Sequence, residues 1–185
     1  MRRTQEREET HEDIQESVNA LDMLRDDHRK VEGLFEQFEQ ADNRSRQRIA
    51  DEALSELEIH AQLEEKLIYP AIRDEVDADE LMDMALEEHH VAKTLIKELR
   101  KMAPRDQRYT AKFKVLAESV KHHIKEEEGE IMPKAEETDL DFNELGRKAM
   151  QRKEALMVKG GGQRGQSKKK PSPSGRNANR KRRAA

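Results

Sequence analysis

The residues best suited to chemistry fall into one pattern that occurs twice. His60-Ala-Gln-Leu-Glu64-Glu65 is followed by Pro70, and His123-Ile-Lys-Glu-Glu127-Glu128 is followed by Pro133. Each copy sets a carboxylate four residues after an imidazole, which on an α-helix places both groups on one face, one turn apart. A single such pair arises by chance on any charged helix, but two with matching flanks are a stronger signal. Imidazole and carboxylate together suit borderline metals such as iron, manganese and zinc. The chain has no cysteine, so any metal site must use nitrogen and oxygen donors.

Helices are needed to position these groups, and four apolar stripes at 3.6-residue spacing predict them. The first is Leu21, Leu24, His28, Val31, Phe35 and Phe38, ended by a turn over Ala41 to Ser45. Ile49, Ala53, Leu57, His60, Glu64 and Leu67 form the second, and Pro70 is expected to kink or stop it. After a polar connection from Asp74 to Asp79, Met82, Ala85, His89, Ala92, Ile96 and Leu99 form the third, which Pro104 ends. The fourth is Phe113, Leu116, Val120, His123 and Glu127, closed by Pro133. Each stripe carries one histidine near its centre. His28 leads to His60 after 32 residues and His89 to His123 after 34, with Asp27-His28 matching Glu88-His89. The expectation is all-α: a duplicated helical hairpin forming an up-down-up-down four-helix bundle. β-branched residues are too sparse for a sheet.

Composition fits thin amphipathic helices. Apolar residues make up 34% and charged residues 41%, a balance that argues against a thick sheet-based core. No apolar run approaches the roughly 20 residues of a membrane span, and the N-terminus lacks the apolar segment of a signal peptide. A cytoplasmic setting is expected. The net charge of −4 conceals an asymmetry: fourteen Lys/Arg and one acid from Arg147 onward give +13, leaving −17 for residues 1–146. The expected organisation is a charged leader (1–18), the bundle (19–136), a short C-terminal fifth helix (137–159) and a disordered basic tail (160–185). Lys168-Lys-Lys170 and Arg180-Lys-Arg-Arg183 suit weak, sequence-blind contact with nucleic acid or another polyanion. The alternatives are a solubilising tail or one that folds back on the acidic body.

Four core-facing histidines and two core-facing glutamates would be costly without a compensating partner. Two metal ions would supply it: His28 and His60 for one, His89 and His123 for the other, with Glu64 and Glu127 bridging. His90 and His122 lie about 100° off the stripes and read as solvated. Glu65 and Glu128 are either acceptors for histidine N–H groups or solvated charges. Tyr69 reads as end-cap packing. A ferritin-like arrangement would need Glu-x-x-His motifs on bundle helices. The only ones, Glu8-x-x-His11 and Glu87-x-x-His90, fall in the leader and at a stripe edge.

Taken together, Asp27-His28, His60-x-x-x-Glu64-Glu65 with Tyr69-Pro70, Glu88-His89, and His123-x-x-x-Glu127-Glu128 with Pro133 resemble the hemerythrin-like family, in its HHE cation-binding branch. The resemblance covers roughly residues 20–135. It implies a four-helix bundle around a non-haem di-iron centre, with iron ligation by His28, His60, Glu64, His89, His123 and Glu127. The oxygen-carrying members have a second histidine where this chain has Lys93, and end with His-x-x-x-x-Asp where it has His-x-x-x-Glu. Six ligands rather than seven imply reaction with, or sensing of, O2, NO or peroxide in preference to reversible oxygen carriage. Two functions follow from this: a peroxide-consuming, catalase-like di-iron protein of oxidative-stress chemistry, or a non-enzymatic iron or oxygen sensor whose basic tail carries the output.

Overall fold

Three of the four long helices begin where the sequence supplies a side-chain cap. The computed structural model describes residues 18–103 and 105–163. Residues 1–17 of the leader (His11 among them), the basic clusters of the tail and Pro104 lie outside the described residues. Helix α1 (Ala20–Gln40) starts at Asn19, whose side chain accepts the N–H groups of Leu21 and Asp22. Helix α2 (Asn43–Leu63) starts at Asp42 in the same way, accepting from Arg44 and Ser45. The cap shortens the expected turn, so Asn43, Arg44 and Ser45 are already helical. Helix α4 (Asp79–Leu99) and helix α5 (Gln107–Glu126), capped by Asp106, form the second hairpin.

Between α2 and α4, and again after α5, the chain departs from expectation. A π-helical turn, π1 (Glu64–Ile68), continues α2 into α3 (Tyr69–Arg73). Its counterpart π2 (Glu127–Ile131) continues α5 into α6 (Met132–Glu136). The Tyr69 N–H bonds to the Glu64 carbonyl and the Met132 N–H to the Glu127 carbonyl, five residues back in each case. Pro70 and Pro133 follow directly. In a regular α-helix each would forfeit a hydrogen bond and strike the carbonyl four residues earlier. The widened turn absorbs both problems, so these prolines neither stop nor close their helices.

The four long helices pair as α1 with α2 and α4 with α5. One apolar cluster joins the C-terminal halves of α1 and α4 to the N-terminal halves of α2 and α5, which is the antiparallel arrangement of an up-down-up-down bundle. Phe38 stacks on Phe113 there, with ring centres 4.0 Å apart. A second cluster at the other end gathers Leu21, Leu24, Leu63, Ile68, Met82 and Met132. The stripe histidines lie between the two. No strand occurs among the described residues.

Helix α7 (Phe142–Gln163) is not short. Its 22 residues match the bundle helices in length, and it runs four residues past the expected boundary. It packs across α1, α2 and π1, placing Leu145 and Ala149 on the second cluster. Gly146 makes this approach possible, because a Cβ there would sit 1.7 Å from the Val18 carbonyl oxygen.

Candidate metal centre

All six residues expected to hold metal are buried in one layer across the bundle, Glu64 completely and Glu127 at 1% exposure. Each histidine comes from a different long helix. The two glutamates open the π turns one helical turn beyond His60 and His123.

The imidazoles point their Nε2 atoms inward. His28 Nε2 lies 3.1 Å from His60 Nε2, and His89 Nε2 lies 3.1 Å from His123 Nε2. Glu64 spans both pairs, with Oε1 2.8 Å from His60 Nε2 and Oε2 3.2 Å from His89 Nε2. Glu127 does not mirror it: Oε2 stands 3.1 Å from His28 Nε2, and no oxygen of Glu127 joins the group formed by Glu64, His89 and His123. Of the two expected bridges, only Glu64 faces both halves.

Every Nδ1 atom points outward at a carboxylate. His28 Nδ1–H donates to Glu128 over 2.8 Å, His123 Nδ1–H to Glu88 over 2.8 Å, and His89 Nδ1–H to Glu65 over 3.1 Å. His60 Nδ1 stands 3.6 Å from Asp27 Oδ2, beyond hydrogen-bond length. Glu65 and Glu128 are therefore acceptors. Glu88 does the same for His123, whereas Asp27 faces His60 Nδ1 without reaching it; sequence reasoning missed both placements, although the two residues are matching neighbours of His28 and His89. The duplication itself was the available signal, since each half needs two acceptors.

Tyr69 is also more than packing at a helix end. Its ring stacks on His89 with centres 5.6 Å apart, and its buried hydroxyl has no hydrogen-bond partner among the described residues. His90 and His122 are exposed. His122 pairs with Glu126 and shares Glu88 with the outer layer of the centre.

The buried carboxylates of this layer draw protons onto its imidazoles. Burial favours neutral His60, but Glu64, Asp27 and Glu127 override it and push the imidazole up to about 10. Burial would raise Glu64, yet His60 and His89 hold it well below the usual carboxylate range. His28 and His89 are raised in the same way, against burial, by Glu127 and Glu64 respectively. Burial and then the Glu64 and Glu127 charges keep the Tyr69 phenol protonated. Lys153 of α7 and His60 hold Asp27 low against its own burial.

The donor set fits metal. Both Glu64 oxygens and Glu127 Oε2 are buried without hydrogen-bond partners, a costly condition that coordination would remove. Two nitrogens about 2.1 Å from one ion at right angles stand roughly 3.0 Å apart, close to the spacing of each Nε2 pair. Two buried groups qualify, His28–His60–Glu64–Glu127 and Glu64–His89–His123, which share Glu64; a third, Glu88–His122–Glu126, lies at the surface. On the first-cluster side a cavity of about 30 Å³ adjoins the histidines, walled by Val31, Leu57, Ala92, Ile96, Val120 and Ile124.

Residues 19–135 match the family described as Hemerythrin HHE cation binding domain. The chain belongs to the hemerythrin HHE family. A crystal structure of a hemerythrin HHE cation binding domain-containing protein from Mycobacterium kansasii superposes with a TM-score of 0.67 at 28% identity. That alignment covers 77% of this chain and 89% of the other. A protein named DNA nickase from Nostoc sp. (strain PCC 7120) is 28% identical over 120 residues, which is 63% of this chain and 33% of that protein. This chain thus spans about a third of the nickase's length. As a hemerythrin HHE protein it carries a helical cation-binding domain, with His/Glu groups able to hold a metal. No described helix is long and apolar enough to cross a membrane.

Proposed function

We propose that this hemerythrin HHE protein holds a pair of iron ions through His28, His60, Glu64, His89, His123 and Glu127, and reacts with or senses O2, NO or peroxide in a cytoplasmic setting. The observation that carries this reading is the orientation of the four imidazoles: Nε2 inward in two pairs, with Nδ1 outward towards carboxylates. That arrangement leaves the inward nitrogens free to donate to metal, and carboxylates behind metal-bound histidines orient the rings and strengthen their donation. Manganese and zinc suit the same donors.

Bound iron would supply one-electron chemistry with oxygen, nitric oxide or peroxide. The chain's own part is to orient, to exclude water and to hold a proton. Glu64 ties the halves together. The apolar wall of the cavity limits access to molecules of a few atoms. Tyr69, kept protonated by burial and by the two glutamates, holds a hydroxyl proton available to a group in the centre. The number of ligands, smaller than in the oxygen carriers, favours reactivity over storage and fits a peroxide-consuming role in oxidative stress.

The test is elemental analysis after growth in iron-supplemented medium, followed by peroxide turnover of the loaded protein. The expected result is a pair of iron atoms per chain with turnover that survives removal of residues 164–185. Protein that takes up no metal even after anaerobic reconstitution would overturn the reading. A second reading, sensing coupled to nucleic acid, draws on the basic clusters and on the relative named DNA nickase. It expects salt-sensitive duplex DNA binding by the full chain that changes with iron loading.

A further inference from the structure

The four outward contacts are not equal, and their lengths follow one variable. Glu128 and Glu88 stand 2.8 Å from His28 and His123, and neither has a Lys or Arg partner among the described residues. Glu65 is held by Lys93 Nζ at 2.5 Å, and its distance from His89 Nδ1 is 3.1 Å. Asp27 is in short contact with Lys153 of α7, where both side chains are largely buried, and its distance from His60 Nδ1 is 3.6 Å. The carboxylates that answer to a lysine stand back from their histidines.

We infer that Lys93 and Lys153 are positioning residues that weaken the donor strength of His89 and His60, leaving His28 and His123 as the stronger nitrogen donors of the centre. The inference rests on the metal-binding reading above. A carboxylate strengthens a metal-bound imidazole by drawing on its Nδ1–H. An ammonium group on the same carboxylate competes for its lone pairs and offsets its charge. The pattern has a spatial consequence. His60 and His89 are the two histidines beside Glu64, whereas His28 and His123 do not contact it. Each half therefore pairs one strong with one weak histidine, and both weak ones lie on the Glu64 side. The fifth helix becomes part of the centre, because Lys153 reaches it from 126 residues beyond Asp27 in the chain.

The experiment is Co(II) titration of the full-length, metal-free protein. Lys93→Met and Lys153→Met should each bind cobalt more tightly than wild type, by about tenfold on the scale of outer-shell effects. Lys93→Arg and Lys153→Arg should stay at the wild-type value. Lys66→Met removes the same charge from the exposed position beside Glu65 and should leave affinity unchanged. In the zinc-loaded protein, the Nδ1–H resonance of His89 should move towards that of His123 in Lys93→Met. A purely structural lysine would give lower or unchanged affinity, so a gain is diagnostic. Lys93 lies on an exposed face of α4, which keeps the test sound even if Lys153→Met fails to fold. Unchanged or weaker cobalt binding by Lys93→Met, or equal tightening by Lys66→Met, overturns the inference alone. Wild-type protein that binds no cobalt at all overturns the metal-binding reading and this inference with it.

Discussion

The two hairpins carry one motif in one register, and they differ in what surrounds it. His60–Glu64 and His123–Glu127 each end an α-helix, open a π turn and precede a proline. Yet Glu64 touches a histidine of each half, whereas the one histidine that Glu127 touches is His28. The α1–α2 hairpin is covered by α7, and the α4–α5 hairpin has no such cover among the described residues. Repetition has preserved the ligand-bearing positions while their neighbours diverged. The difference separates what chemistry demands of both halves from what each half was free to change.

The sharpest way to break that comparison is to remove the two glutamates in turn. Glu64→Ala should abolish retention of metal by both halves, and Glu127→Ala should lose less, because it faces one half only. Metal-to-protein ratios of the two variants check this, and equal losses would show that the glutamates are equivalent after all.

Proton linkage comes next. His60, pushed up to about 10, has an unfolded value near 6.5. Its contribution to the metal-free fold is therefore fully present below about pH 6.5 and lost as pH rises towards 10. Glu64 is shifted down, so its contribution is present above the unfolded value of about 4.3 and is lost as pH falls through its lowered folded value. Metal-free protein should melt at a higher temperature at pH 6 than at pH 9. Metal uptake requires neutral imidazoles, so metal affinity should rise over the same interval. Calorimetry with and without a chelator reads both, and a metal-free protein more stable at pH 9 would refute the first.

The asymmetry of covering is tested at Gly146. Gly146→Ala must displace α7 from Val18 and should cost about 2 kcal/mol in denaturant unfolding. Gly33, inside α1 with nothing within 4 Å of an added Cβ, gives the smallest effect. Gly33→Ala should gain about 0.5–1 kcal/mol through helix propensity. A gain at Gly146 together with a loss at Gly33 would fit no account based on packing.

The bundle was readable because burial imposes a period: Leu21, His28 and Phe35, or Leu57, His60 and Glu64, declare their face without any tertiary knowledge. The ligand residues were readable because that period brings unlike chemistry to the same face twice. Other features depend on reach rather than period. Glu127 stops at His28 for reasons of side-chain placement that spacing does not carry. Lys153 meets Asp27 across 126 residues of chain, and no local pattern marks it. The prolines misled because a helix has a third response besides kinking and stopping, which is to widen.

That widening can be restated as a count of residues. Each π turn holds one residue more than a plain α-helix would use for the same advance. Forcing the unchanged sequence from Glu64 to Pro70 into a plain α-helix would rotate everything beyond by about 100°, with His60 and Glu64 still in place. Tyr69 would leave the face of His89, and the second apolar cluster would lose Ile68 and Ile72 from register. The extra residue thus uncouples two alignments that a uniform helix would lock together: the ligands above it and the packing surface below. A lineage could retune one by insertion or deletion without disturbing the other.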